Sequence, residues 1–443
     1  MLILSEKQKY VSVAFAASFL ALATFFSTQL PQGLPAAILV AMGATIVLNL
    51  SPESRKKPTL WYSTGIFLVC LPLLGAQANL MQMLAAMSRF APVMALLIGI
   101  ALFRHSLVRS GLAAMISRPL LGHKEGPRNS AKVALATAGL SVVGSLGTIS
   151  IICAALAGKV HNRLALSGIT VRALCASMYI LPTTVASAAV AAAIPQLQAN
   201  RIALLGAPLT VLMLLGAMLP QIQLDTSAGN GASSSTTLRQ PLALVTVVAL
   251  CGLLTLNWTG HVTLSIAVAM IAGYLAESLL FTRKPGLPSR QSEVARSVDG
   301  ITPEILLLAA SGLLIFTVQT LDLHSHLGAA LMLAMTDRTT VLFLLLGVFP
   351  LITIAGLHPL VLFGLFFPLM NPPMFHDTTI QYLAWTSTFV MSNLLSPVST
   401  CAMLAATSLQ KTTRQTSYIS NGRYCIVFAV LTAVYLTLLS MET

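Results

Sequence analysis

The chain has 443 residues, 56% of them hydrophobic and only 8% charged. A soluble domain carries about a quarter charged residues, so this chain has too little polar surface to face water and must meet lipid over most of its area. The net charge of +13 does not mark a nucleic-acid binder, because the basic residues fall in short segments between apolar stretches, where they set membrane orientation.

A spanning helix needs about 20 apolar residues. Residues 1–30 read as an extra N-terminal helix: Lys7 and Lys9 precede an apolar run, and no small-x-small cleavage site follows, so we read it as retained rather than cleaved. Residues 31–220 then form a first repeat. Its spans are expected near 33–50, 60–78, 90–104, 164–195 and 201–219, with a long apolar stretch at 131–158 that is interrupted by Gly144 and Gly147. Residues 221–240 are polar and include a Gly-Asn-Gly-Ala-Ser-Ser-Ser run, the composition of a flexible cytoplasmic linker. Residues 241–443 form a second repeat, with spans near 241–257, 262–281, 303–321, 379–407 and 423–440 and a second interrupted stretch at 338–370 around Gly356 and Pro359. We read 131–158 and 338–370 as re-entrant hairpins. The predicted fold is all-α and polytopic, with 11 transmembrane helices, two hairpins and two inverted repeats.

The basic residues test this plan. With the N-terminus in the cytoplasm of a bacterial inner membrane, Arg89, Arg201 and Arg338 fall outside and Arg172 inside a span; the other 21 of the 25 Lys and Arg are cytoplasmic. The C-terminus is then periplasmic. The six cysteines lie in or beside apolar segments with no CxxC pair, so neither a disulfide framework nor a metal cluster is expected. No HExxH, GxSxG or Walker motif occurs, and nothing proposes an enzyme.

The segments 164–195 and 379–407 resemble each other. The first contains Ser177, Pro182, Thr183 and Thr184; the second contains Ser392, Asn393, Ser396, Pro397, Ser399 and Thr400. Proline removes a backbone donor and frees a carbonyl. At membrane depth that is tolerated where protein or a water-filled cavity satisfies the exposed groups. One such proline by itself is most simply a kink; a matched pair flanked by hydroxyls points to a transport site.

With its 11 spans, two hairpins and paired broken helices, the chain resembles the ion transporter superfamily, and most of all its divalent anion:sodium symporter branch. Ser392-Asn393 and Ser399-Thr400 match that family's Ser-Asn-Thr type motifs; Gly144-Ser-Leu-Gly-Thr148 lacks the Asn, and Ala355-Gly-Leu-His-Pro359 departs further. The resemblance implies sodium-coupled symport of a small anion such as a carboxylate, an elevator movement of about 131–219 and 338–440, and a homodimer. No cofactor beyond the coupling ion is expected.

Sodium takes hard oxygen ligands. One candidate site combines Ser145 and Thr148 with Thr183 and Thr184; the other combines Asn393, Ser396, Ser399 and Thr400 with carbonyls near Gly356. The plain alternative is that these hydroxyls only bond the preceding helical turn. Arg172 is placed roughly nine residues, about 13 Å, into its span. A buried membrane arginine is costly and usually functional; it meets an anionic substrate, snorkels inward, or holds a backbone carbonyl. His358 at the second tip donates to a substrate carboxylate, titrates, or caps the tip. The spans hold almost no acids, which favours sodium over a carboxylate proton relay. The rival readings are a proton-coupled exporter or antiporter of another polar solute, and a non-transporting membrane protein.

Overall fold

A computed structural model describes residues 58–75, 77–109, 127–144, 146–157, 160–180, 182, 184–194, 197–220, 222, most of 244–255, 262–280, 290–322, 338–369, 375 and 377–442. The expected helix at 1–30, the span at 33–50, the linker at 221–240 apart from Ile222, and the site candidates Ser145 and Thr183 lie outside the described residues.

The helices in chain order are α1 Pro58–Leu74, α2 Leu80–Met87, α3 Ala91–Arg109, α4 Pro127–Gly144, α5 Gly147–Leu156, α6 Arg163–Ser177, α7 Val185–Ala193 and α8 Ala199–Met218. Then come α9 Val262–Leu280, α10 Arg290–Thr320, α11 Arg338–Phe343, α12 Phe349–Ile354, α13 Pro359–Leu369, α14 Thr378–Leu395, α15 Thr400–Leu409 and α16 Ser420–Glu442. Wider π turns join α11 to α12 at Leu344–Val348 and lead into α16 at Gln415–Ile419.

The chain is an all-α, multi-pass membrane protein. Among the described residues, Ala199–Met218, Ile301–Thr320, Thr378–Leu409 and Gln415–Met441 are long and apolar enough to cross a bilayer, and α2 with α3 forms a fifth such path bent by 46°. Other apolar segments are built as shorter pieces. The residues at 79–89, between two expected spans, hold α2, because Asn79 and Gln82 form a reciprocal capping box: Gln82 N–H donates to Asn79 Oδ1 at 2.9 Å and Asn79 N–H to Gln82 Oε1 at 3.0 Å. α10 begins at Arg290, well before the span expected at 303, because the helix formers Gln291, Glu293, Ala295 and Arg296 extend it into the basic segment.

The helices gather into two compact units, each built from both halves of the sequence. Unit 1 comprises 1–106, 242–333 and 360–371; unit 2 comprises 107–241, 334–359 and 372–443. In unit 1, α1 and α2 pack along α10, where Cys70, Leu74 and Met83 bury Leu313. Gly312 allows the close approach: a Cβ there would strike the Ala86 carbonyl.

In unit 2, α6 is the centre, flanked by α4, α5, α8, α15 and α16. Every residue of α6 from Leu166 to Ser177 is buried. A helix buried all round is one that no lipid or water reaches. α14 is buried almost as completely and packs on α7, α12 and α16. α16 by contrast exposes Ile426, Val430, Val434 and Leu438, an apolar face suited to lipid.

The segment expected as the first hairpin holds α4 and α5, which pack on each other across the turn before Gly147. The segment 338–370 holds α11, α12 and α13 around a turn at Ala355–His358, where Gly356 adopts φ 104°, a conformation open to glycine. Its arms divide: α12 belongs to unit 2, and the chain from 360 onward to unit 1.

Candidate functional site

The two proline-containing segments are broken helices at the centre of unit 2. α6 ends at Ser177, and Thr184 caps α7 after Pro182; this is break 1. α14 ends at Leu395, and Ser399 caps α15 after Pro397; this is break 2. The caps correspond. Thr184 Oγ1 accepts the Ser187 N–H at 3.4 Å, and Ser399 Oγ accepts the Ala402 N–H at 3.2 Å. Each hydroxyl takes up one of the orphan donors at the start of its half-helix.

A proline leaves without a donor the carbonyl four residues before it. For Pro182 that carbonyl is Met178; for Pro397 it is Asn393. The structure meets both with hydroxyls. Tyr382 Oη, from α14, donates to the Met178 carbonyl at 2.9 Å, and Ser399 Oγ donates to the Asn393 carbonyl at 2.8 Å. Break 1 has further ties. Tyr179 Oη donates to Ser387 Oγ at 3.1 Å, and Thr210 Oγ1 donates to the Ala176 carbonyl at 3.1 Å. Gly206 of α8 lies against the Tyr179 carbonyl with no room for a Cβ. At break 2, Ser396 Oγ accepts the Val398 N–H at 3.3 Å. Asn393, Pro397, Val398 and Thr400 are only partly covered there.

The remaining site candidates fall as follows. Thr148 lies in the first turn of α5 and is buried; its Oγ1 has no hydrogen-bond partner among the described residues, as is true of Ser392 Oγ in the last turn of α14. α5 packs along α15 and α6, so the structure sets Thr148 on a helix beside α15, while Thr184 heads α7, which packs on α14. Gly356 and the buried His358 share the turn after α12.

Arg172 is 5% exposed. Its Nε donates to Asn421 Oδ1 at 2.9 Å, Nη1 to the Gly216 carbonyl at 2.9 Å and Nη2 to the Ser420 carbonyl at 2.7 Å. Its guanidinium lies 4.4 Å from the Tyr424 ring centroid. The arginine thus holds two backbone carbonyls, one of the roles open to it from sequence, and none of these partners is a carboxylate. Asn421 in turn donates from Nδ2 to the Ser417 carbonyl at 3.1 Å and, at 3.4 Å, to the Leu394 carbonyl beside break 2. Sequence reasoning missed Tyr179, Tyr382, Asn421 and Tyr424. The one available signal was the position of Tyr179, three residues before Pro182.

A solved structure matches this arrangement over most of its length: that of the YdaH transporter of Alcanivorax borkumensis, described as having an unusual topology. It superposes with a TM-score of 0.56 over 86% of this chain and 98% of that one, at 14% sequence identity. The chain has the fold of a membrane transporter. No family model matches the sequence, and no curated protein matches it.

Proposed function

We propose that this protein is a secondary active transporter of the inner membrane that moves a small anion, such as a carboxylate, by sodium-coupled symport. The observation that supports this most is the pair of broken helices at the heart of unit 2, each with a proline-freed carbonyl and a hydroxyl cap at apolar depth. At membrane depth every unpaired backbone group is costly, so such breaks persist only where protein or a water-filled cavity meets the freed groups. Discontinuous helices of this kind build substrate and ion sites at the midplane of secondary transporters. The likeness in fold to a solved transporter points the same way.

The hydroxyl and carbonyl oxygens of Thr148, Thr184, Asn393, Ser396, Ser399 and Thr400 are the ligand types a hard cation takes. An anionic substrate suits the positive ends of α5, α7 and α15 and the charge of Arg172, whose partners here hold no carboxylate. We take the movement to be of elevator type, with unit 2 as the carrier and unit 1 as scaffold and homodimer interface. Neither catalysis nor nucleic-acid binding enters this reading.

The test is thermal stabilisation of the purified protein by a panel of small anions, with sodium or potassium as the only cation. A ligand of the native state at a hundredfold excess over its Kd adds about 2.7 kcal/mol. The expected result is an anion that raises the melting temperature in sodium and not in potassium. Stabilisation equal in both cations removes sodium coupling; no stabilisation by any anion removes the anion symport reading.

A further inference from the structure

The turn that leads into α16 is wider than an α-helical one. It covers Gln415–Ile419, and Ser417 within it leaves helical geometry at φ -102° and ψ -113°. In an α-helix, residues five apart point about 140° away from each other; in a π turn, with its i to i+5 bonding, they become neighbours. Thr416 and Asn421 are five apart, and Asn421 Nδ2 lies 3.3 Å from the Thr416 carbonyl. Both side chains are fully buried, and both reach break 2.

They grip opposite sides of the break. Thr416 Oγ1 donates to the carbonyl of Ala402, in the first turn of α15, at 2.9 Å. Asn421 Nδ2 reaches the carbonyl of Leu394, in the last turn of α14, at 3.4 Å. That carbonyl needs a donor, because the Val398 N–H that would close its helical bond turns to Ser396 Oγ at 3.3 Å. The two hydrogens of the amide are shared with the Ser417 carbonyl at 3.1 Å and Ser420 Oγ at 3.0 Å, so its orientation matters. Arg172 sets it. A guanidinium only donates, so Nε, 2.9 Å from Oδ1, holds the oxygen end of the amide and leaves Nδ2 turned to break 2. The same arginine ties the foot of α16 to α8 through the Ser420 and Gly216 carbonyls.

We infer that the wide turn is a bracket that sets the geometry of break 2: Thr416 fixes the start of α15, Asn421 fixes the end of α14, and Arg172 orients Asn421. Thr416 and Asn421 are thus positioning residues, which act on a transported ion through the backbone of the break. This rests on the reading of break 2 as part of the transport site.

The experiment uses the full-length protein in detergent and two readouts. One is the rate at which a water-soluble methanethiosulfonate labels Val398→Cys, a partly covered position at break 2, above the background of the native cysteines. The other is the NaCl concentration, exchanged against KCl at constant ionic strength, that gives half the maximal rise in melting temperature. Tyr435→Phe is the control: it removes a 2.7 Å tie from α16 to the Leu205 carbonyl of α8, about 21 Å along the helix from Asn421. It should melt lower in KCl with both readouts within about twofold of wild type, the scatter of uncoupled sites. Asn421→Ala and Thr416→Val should each raise both readouts by about tenfold, the size of one lost buried hydrogen bond. Thr416→Ser, which keeps the donor, should restore them. Variants at 416 and 421 that melt lower yet leave both readouts at the level of the control overturn the bracket and leave sodium coupling standing. A wild type without a sodium response overturns sodium coupling; the labelling rate then decides the bracket, a rise of about tenfold supporting it and an unchanged rate overturning it.

Discussion

Met178 and Asn393 show how a single covalent fact propagates. Each carbonyl lacks its helical donor because the residue four positions later is proline, and each is supplied with a hydroxyl instead. Removing the Tyr382 hydroxyl leaves a buried carbonyl unmet, which costs about 1–3 kcal/mol; Tyr382→Phe should therefore lower the melting temperature in detergent even where sodium has no part. Arg172 makes a second residue-scale test. Its guanidinium serves three acceptors in three directions, a geometry that lysine does not reproduce. Both Arg172→Gln and Arg172→Lys should destabilise the protein, by about 2–4 kcal/mol for the first. Transport separates the roles: if the charge attracts the anion, Arg172→Lys retains substantial uptake that Arg172→Gln lacks. Equal loss in both variants assigns the arginine to holding carbonyls alone. That Arg172 is buried was legible from its depth in an apolar span. Its partner Asn421 was not, because it lies 249 positions away.

At the scale of elements, helix ends were the part of the fold most open to sequence reading. Pro182 and Pro397 marked both breaks, since the missing N–H acts within one turn. The capping box at Asn79 and Gln82 was equally local. The packing between elements was not legible. Gly206 was one glycine among 28, and only the structure shows α8 pressing on break 1 through it. Gly206→Ala should be among the most disruptive small substitutions in unit 2, costing about 1–3 kcal/mol through overpacking, whereas Gly139, with nothing near its missing Cβ, should accept alanine without loss. The start of α14 makes a graded case. Asp377 caps the helix by accepting the Thr379 N–H at 2.6 Å and pairs with Arg201 at 2.6 Å. Arg201 is half exposed, so the pair adds little. Asp377→Asn, which keeps a capping oxygen, should melt close to wild type, and Asp377→Ala should lose about 1 kcal/mol.

For the whole molecule, the decisive feature is that neither unit is continuous in sequence. Unit 2 draws α4 to α8 from one half of the chain and α11, α12 and α14 to α16 from the other. Each broken helix completes its hydrogen bonding on the other: Tyr382 reaches break 1, and Tyr179 reaches α14. A fragment of residues 1–240 therefore carries break 1 without its closing phenol and leaves the buried face of α6 partly bare. Expressed alone, it should be degraded or aggregate in detergent extracts. Co-expression with 241–443 should restore a complex that elutes as a single species. A well-behaved isolated first half would show that the units do not depend on the exchange.

The sequence by itself determined that this chain lives in a membrane, that it is helical, and where its central helices break. These follow from composition and from proline, whose effects act over a few residues. The tertiary structure alone decided what meets the freed carbonyls, what the buried arginine holds, and which of many hydroxyls stand without partners. Serine and threonine in apolar helices bond the preceding turn in most places, as Thr137 and Ser141 do here, so their pattern in sequence does not separate a ligand from a self-satisfied side chain. That distinction depends on contacts between residues some two hundred positions apart, as with Tyr382 and Met178, and only the assembled fold brings such residues within reach.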